Sequence, residues 1–88
     1  MQPTYQPLNC DLHDYLEIAC MYHYRLNIEI NDGEGFVATA LTTRTTSSKE
    51  EFLVLQNGDH QFEIRLDKLR AITPLDSNAS FGCITFLQ

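Results

Sequence analysis

Hydrophobic positions in this chain repeat once with a helical period and afterwards with the period of a strand. From Asn9 to Tyr22 the sequence reads NCDLHDYLEIACMY. At about 100° per residue, Leu12, Tyr15, Leu16 and Ala19 fall on one side of a helix, with Cys20 at its margin. Asp14 and Glu17 fall on the other side, near His13 and Met21. The pattern predicts a short helix with one face on a core and a face of carboxylates in water. Upstream, Pro3 and Pro7 forbid helix, so residues 1–8 read as an extended arm that Tyr5 and Leu8 can pin to the core. Asn9 or Asp11 can cap the helix. The spacings Asp11–Asp14 and Asp14–Glu17 resemble capping boxes, and acids in a first turn also suit the helix dipole. Capping accounts for Asp11 readily. It accounts less well for Glu17, which lies further in.

From Tyr22 the period falls to about 2. Tyr24, Leu26, Ile28 and Ile30 alternate with Arg25, Asn27 and Glu29, as in a half-buried strand. Residues 31–35, NDGEG, form a turn in which Gly33 and Gly35 can take positive φ. Phe36 to Leu41 returns as a second strand, and Thr42 to Lys49, TTRTTSSK, reads as a polar loop. Phe52 to Leu55 is a short apolar strand, and Asn57-Gly58 signals a hairpin. In the next strand Phe62, Ile64 and Leu66 alternate with Gln61, Glu63 and Arg65. Asp67-Lys68-Leu69 is a tight turn before a strand from Arg70 to Thr73. Pro74 to Ser80 is a loop, and Phe81 to Leu87 is a last strand. The expected fold is mostly β: a small antiparallel barrel or sandwich of five to six or more short strands with one N-terminal α-helix, as a single domain over residues 1–88. Sharp bending would close it and remove open edges. The element order resembles the Sm-like small barrel, with Leu12, Leu16 and Ala19 covering one open end or face.

Composition narrows the function. A chain of 88 residues with 43% hydrophobic content is globular rather than disordered. No run approaches the roughly 18 apolar residues of a membrane span. The start, MQPTYQPLNC, has neither the basic region nor the apolar core of a signal peptide. Three cysteines, Cys10, Cys20 and Cys83, are an odd count that argues against a disulfide framework and for a reducing cytoplasm. The net charge is −6. Residues 1–34 hold six acids against Arg25 alone, whereas residues 35–88 hold six acids against five bases. This balance discourages binding to a phosphate backbone and favours a basic protein as partner. Solubility is the plainer explanation of the same charge.

Cys10, His13, Cys20 and His23 invite comparison with a zinc site, but Cys10 precedes the helix and His23 follows it, and no C-x-x-C pair is present. Cys20 suits the core and the histidines suit the surface, so no metal or other cofactor is expected. Asp14 and Glu17 share an exposed face rather than flanking a cleft, and no third group orients a Cys–His pair, so an enzyme is not expected. The basic residues that could hold RNA are diluted by Glu50, Glu51, Glu63 and Asp67. Phe36, Phe52 and Phe62 read as core rather than stacking platforms. His60 falls in a hairpin turn. Within the loop, Arg44, Ser47, Ser48 and Lys49 offer hydroxyls and positive charge as a second contact beside the helix, or simply a flexible hairpin tip.

Two segments, Thr4 to Glu34 and EIRLDKLRAI from Glu63 to Ile72, carry a resemblance. A Tyr-Gln-Pro arm, an Asn-Cys-Asp helix start, a Leu-Glu-x-Ala-Cys helix end and an Arg-Leu-Asp-Lys strand exit occur in that order. Together they resemble the Rho-binding antiterminator family (Rof, also called YaeO), small bacterial proteins that inhibit the transcription terminator Rho. The resemblance implies an Sm-like barrel with an N-terminal helix and a cytoplasmic regulator that is not an enzyme. It implies binding to the N-terminal RNA-binding domain of Rho, with RNA excluded from the primary site. Asp14 and Glu17 match the acidic helix positions of the family, and Asp11 matches its helix start. The residues 42–49 correspond to its other contact, although here that loop is richer in Thr and Ser and one residue longer. Ile18 and Met21, read as exposed beside the acids, would add apolar contact. The expected partner-binding set is therefore Asp11, Asp14, Glu17, Ile18, Met21, Arg44, Ser47, Ser48 and Lys49, on a protein that is monomeric when free. The residues alone leave two other readings open: an acidic Sm-like adaptor for another basic protein, or a weak RNA-binding Sm-like module.

Overall fold

The computed structural model of the chain describes residues 10–86. The expected N-terminal arm, the Asn9 cap and Leu87 lie outside them. Helix α1 spans Cys10–Met21. Its Leu16 and Ala19 are fully buried, while Leu12 and Cys20 pack half-buried against the same core. The helix ends in a Schellman motif. His23 donates its N–H to the Cys20 carbonyl at 3.2 Å and Tyr24 donates to Ala19 at 2.9 Å. His23 itself takes the left-handed conformation, φ 52°, where glycine is usual. Its Nδ1 lies 3.1 Å from the Ala40 carbonyl, which ties the helix end to the sheet.

The strands are β1 (Arg25–Ile30), β2 (Gly35–Thr45), β3 (Glu51–Asn57), β4 (His60–Arg65), β5 (Leu69–Pro74) and β6 (Ile84–Thr85). A single 3-10 turn, Leu66–Lys68, connects β4 to β5. All pairings are antiparallel, in one sheet of order β4-β3-β2-β1-β5-β6. The mostly β expectation therefore stands, but closure does not. No ladder joins β4 to β6 among the described residues, and the sheet is open. The two-residue β6 covers part of the outer edge of β5, and exposed His60, Gln61 and Glu63 occupy the edge strand β4. Polar and charged edge residues of this kind discourage further pairing. The register shifts between Ala40 and Thr42 and between Glu29 and Ile30, as bulges do when they bend a sheet.

The core follows the alternation. Leu26 and Ile28 of β1, Ala40 of β2, Leu53 and Leu55 of β3, and Ile72 of β5 are sealed from solvent together with Leu66, Leu69 and Phe86. Tyr24 is buried, and its hydroxyl accepts the Ser80 N–H at 3.0 Å, pinning the segment that leads to β6. Phe36 and Phe62 meet edge to face at 5.4 Å against the core. Phe52 departs from expectation: it is half-buried outside that cluster, with the Arg44 guanidinium 5.1 Å from its ring centre. Three boundaries also move. β2 runs on through Thr45, so much of the expected loop is strand. The last strand shrinks to Ile84–Thr85. In the first hairpin only Gly33 takes positive φ, at 95°, whereas Gly35 opens β2 with the place of a Cβ 3.4 Å from the Ile28 carbonyl.

Candidate functional site

The acidic side chains of α1 lie in one stripe. Asp11, Asp14, Glu17 and Met21 are exposed at spacings of three, three and four residues, which is one face of a helix. Opposite them Leu16 and Ala19 hold the helix to the sheet, chiefly against β2. The carboxylates face water because the apolar face is committed to the core. Ile18 is a correction: it is half-buried and packed on the core, on the flank of the helix where Tyr24, Asn78 and Ser80 lie beside it. Met21 is 70% exposed, as expected.

The second patch is the tip between β2 and β3. Thr45 and Glu51 are the last registered pair, and Thr46 to Glu50 make the turn. Lys49 donates its N–H to the Thr46 carbonyl at 2.9 Å, Thr46 donates to the Glu50 carbonyl at 2.9 Å, and Lys49 has φ 67°. This is a three-residue hairpin loop in which Lys49 occupies the left-handed position that glycine usually takes. The Thr46 hydroxyl accepts the Glu50 N–H at 3.1 Å and lies 2.9 Å from the Ser48 hydroxyl. The tip is thus hydrogen-bonded within itself, with Ser47, Ser48 and Lys49 exposed. Arg44 is set apart from it. It lies in β2, reaches across β3 to Glu63 through two hydrogen bonds, one of 2.7 Å, and covers Phe52. Those bonds hold the Glu63 carboxyl below the usual carboxylate range.

Helix and tip are joined by a contact that periodicity does not signal. His13 Nε2 lies 2.8 Å from Glu51 Oε2, and its Nδ1 lies 3.8 Å from Glu17 Oε1. The Glu51 oxygen is closed off from solvent and makes no hydrogen bond, and the His13 imidazole is the polar group that faces it. Behind the tip, Arg65 bridges Glu50 at 2.8 Å and Asp67 at 2.7 Å, fixing the start of β3 to the 3-10 turn. A further surface feature lies at the end of α1. Exposed Tyr22 stacks on Tyr24 at 5.7 Å. Its position between the helical and strand patterns was the only sequence signal for it.

Among the described residues, no group of three or more His, Cys, Asp or Glu side chains is placed to hold a metal ion. His13 Nε2 is directed to Glu51 and His23 Nδ1 to the Ala40 carbonyl. Burial, with a lesser contribution from the Glu17 charge, pushes the Cys20 thiol up to about 11. His60 is exposed as the first residue of β4 rather than in the turn itself. No described helix is long and apolar enough to cross a membrane.

The chain is a small open β-sheet that presents an acidic helix beside a hydroxyl-rich hairpin. Comparison with known proteins assigns the family. The profile of the ROF family, modulators of Rho-dependent transcription termination, matches residues 7–86, and the chain belongs to that family. Protein rof of Escherichia coli (strain K12) is 40% identical over 73 residues, 83% of this chain and 86% of the relative. Protein rof of Shigella flexneri matches to the same extent, 40% over 73 residues. A solved structure, YaeO bound to Magnesium from Vibrio cholerae O395, superposes with a TM-score of 0.76 at 27% identity, covering 84% of this chain and 96% of that one. The family is a regulatory one and not a family of enzymes.

Proposed function

We propose that this protein inhibits Rho-dependent termination by docking on the N-terminal RNA-binding domain of Rho and keeping RNA out of the primary site. The observation that carries this reading is the stripe of exposed carboxylates, Asp11, Asp14 and Glu17, on a helix fixed to the sheet by its other face. A site that holds RNA is basic, so fixed carboxylates are attracted to the same field that attracts phosphates. One exposed ion pair contributes only about 0–1 kcal/mol, but several that are partly desolvated at one interface contribute more and speed encounter. Met21 adds apolar area at the end of the stripe, with Ile18 packed behind it as support. Ser47, Ser48 and Lys49 at the tip form the second contact. His13 and Glu51 set its distance from the helix. Arg44, held by Glu63, stands at the margin of this surface. The protein is monomeric when free and works in the cytoplasm, where transcription takes place.

The test is a double charge reversal, Asp14→Lys with Glu17→Lys. Both side chains are exposed, so the fold should survive, as circular dichroism and thermal melting would verify. The folded variant should lose most of its affinity for Rho and should no longer compete with RNA for the primary site. Wild-type binding, or RNA and this protein bound to Rho together without competition, would refute the mechanism.

A further inference from the structure

Sites for single-stranded RNA combine a positive groove with aromatic side chains on which bases stack. A protein that displaces RNA from such a site gains affinity by matching both features. The stripe on α1 matches only the charge.

The ring is present at the next position. Tyr22 directly follows α1 and is 62% exposed. One face of its ring rests on Tyr24, with centroids 5.7 Å apart and planes within 20° of parallel. Tyr24 is buried and anchored to Ser80. Phe81 backs Tyr24 at 5.7 Å and meets Tyr15 at 5.1 Å. Tyr22 is therefore the outermost of four rings in contact, held before any partner arrives. Such preorganisation lowers the entropy lost on binding. A groove lined by Ile18, Met21, Tyr22, Tyr24, Asn78 and Ser80 gives a partner side chain access to it. Met21, exposed at the end of the acidic stripe, directly precedes Tyr22 and lines this groove with it, so ring and stripe adjoin through Met21.

We propose that Tyr22 is a nucleobase surrogate: its ring stacks on the base-holding aromatic surface of the RNA site of Rho, while Asp14 and Glu17 stand in for phosphates. The proposal rests on the reading that this protein occupies that RNA site. Stacking demands a ring, whereas simple apolar burial would be met as well by leucine.

The experiment compares Tyr22→Ala, Tyr22→Leu and Tyr22→Phe in the full chain, binding intact Rho across a series of salt concentrations. Tyr22→Ala and Tyr22→Leu should each weaken binding about tenfold, within the range of alanine substitution at base-stacking aromatics, and Tyr22→Phe should stay within about twofold of wild type. The slope of log affinity against log salt should be unchanged in all three, because none removes a charge, and should flatten in the Asp14→Lys, Glu17→Lys protein. Wild-type affinity in Tyr22→Leu would overturn stacking, and this comparison decides the matter even if Tyr22→Ala fails to fold. Wild-type affinity in folded Tyr22→Ala alongside lost binding in the charge-reversed protein would overturn the role of Tyr22 and leave the charge mechanism standing. Wild-type affinity in both would overturn the two together.

Discussion

The imidazole of His13 and the carboxylate of Glu51 meet at 2.8 Å across the joint between α1 and the tip end of the β2–β3 hairpin. The contact matters beyond its own energy because it lies between the two patches proposed to bind. Asp14 and Glu17 are within a turn of His13, and the tip begins one residue before Glu51. A rigid joint fixes the distance between them, which is how two weak contacts come to act as one surface.

Removing the imidazole should therefore cost more than removing the acid. His13→Ala leaves a sealed carboxylate oxygen without the polar group that faces it and should destabilise the fold by about 1–3 kcal/mol. Glu51→Gln removes the charge that needs compensation and should cost less. Urea denaturation of the two variants and of their combination measures both the order and the coupling. Wild-type stability in His13→Ala would show that the contact is incidental.

Lys49 holds a left-handed conformation, φ 67°, at the hairpin tip. Glycine adopts that conformation without Cβ strain, so Lys49→Gly should stabilise the fold by about 0.5–1 kcal/mol despite the greater freedom of its unfolded chain. The same substitution removes the amine proposed to contact Rho, so affinity should fall while the melting temperature rises. An unchanged or lowered melting temperature would contradict the assigned loop geometry.

Acid should weaken the bridge between Arg44 and Glu63. The hydrogen bonds from Arg44 lower the Glu63 carboxyl in the folded protein, so the unfolded chain takes up its proton at higher pH. The stabilisation is fully present above the ordinary glutamate value of about 4.3 and is lost as pH falls through the lower folded value. Glu63→Gln should remove this part of the acid dependence. Denaturation curves at several pH values between neutrality and strong acid, for both proteins, would reveal it as a difference that shrinks toward low pH. A difference independent of pH would refute the assignment.

The described thiols should differ in reactivity. Cys83 is exposed, whereas Cys20 is half-buried with its thiol pushed up to about 11. At pH 8 only about a thousandth of Cys20 is thiolate, the nucleophilic form. Iodoacetamide should modify Cys83 well before Cys20, as peptide mass mapping over time would record. Equal rates at the two positions would mean that Cys20 is not shielded as the structure has it.

Local pattern was enough to place the helix, the β1–β2 and β3–β4 hairpins and most of the sealed core, because each depends on near neighbours. Leu16 and Ala19 share a helical face, and Leu26 and Ile28 share a strand face, whatever the rest of the chain does. Asp14 and Glu17 were legible as exposed for the same reason. The errors have a common origin. The threonines from Thr42 to Thr45 show no alternation, yet they pair with β3, because an adjoining strand supplies hydrogen-bond partners that sequence does not display. Open or closed topology was equally invisible, since it depends on which edges meet.

By itself, then, the order of residues determined a mostly β chain with one amphipathic helix, a carboxylate face, and motifs characteristic of modulators of Rho-dependent termination. Only the tertiary structure decided that Ile18 turns inward, that Arg44 is held by Glu63, that His13 clasps Glu51, and that Tyr22 caps a column of rings ending at Tyr15. The physical reason is range. Periodicity and capping act over a few residues, whereas these contacts join side chains from different elements and exist only once register and packing have brought those elements together.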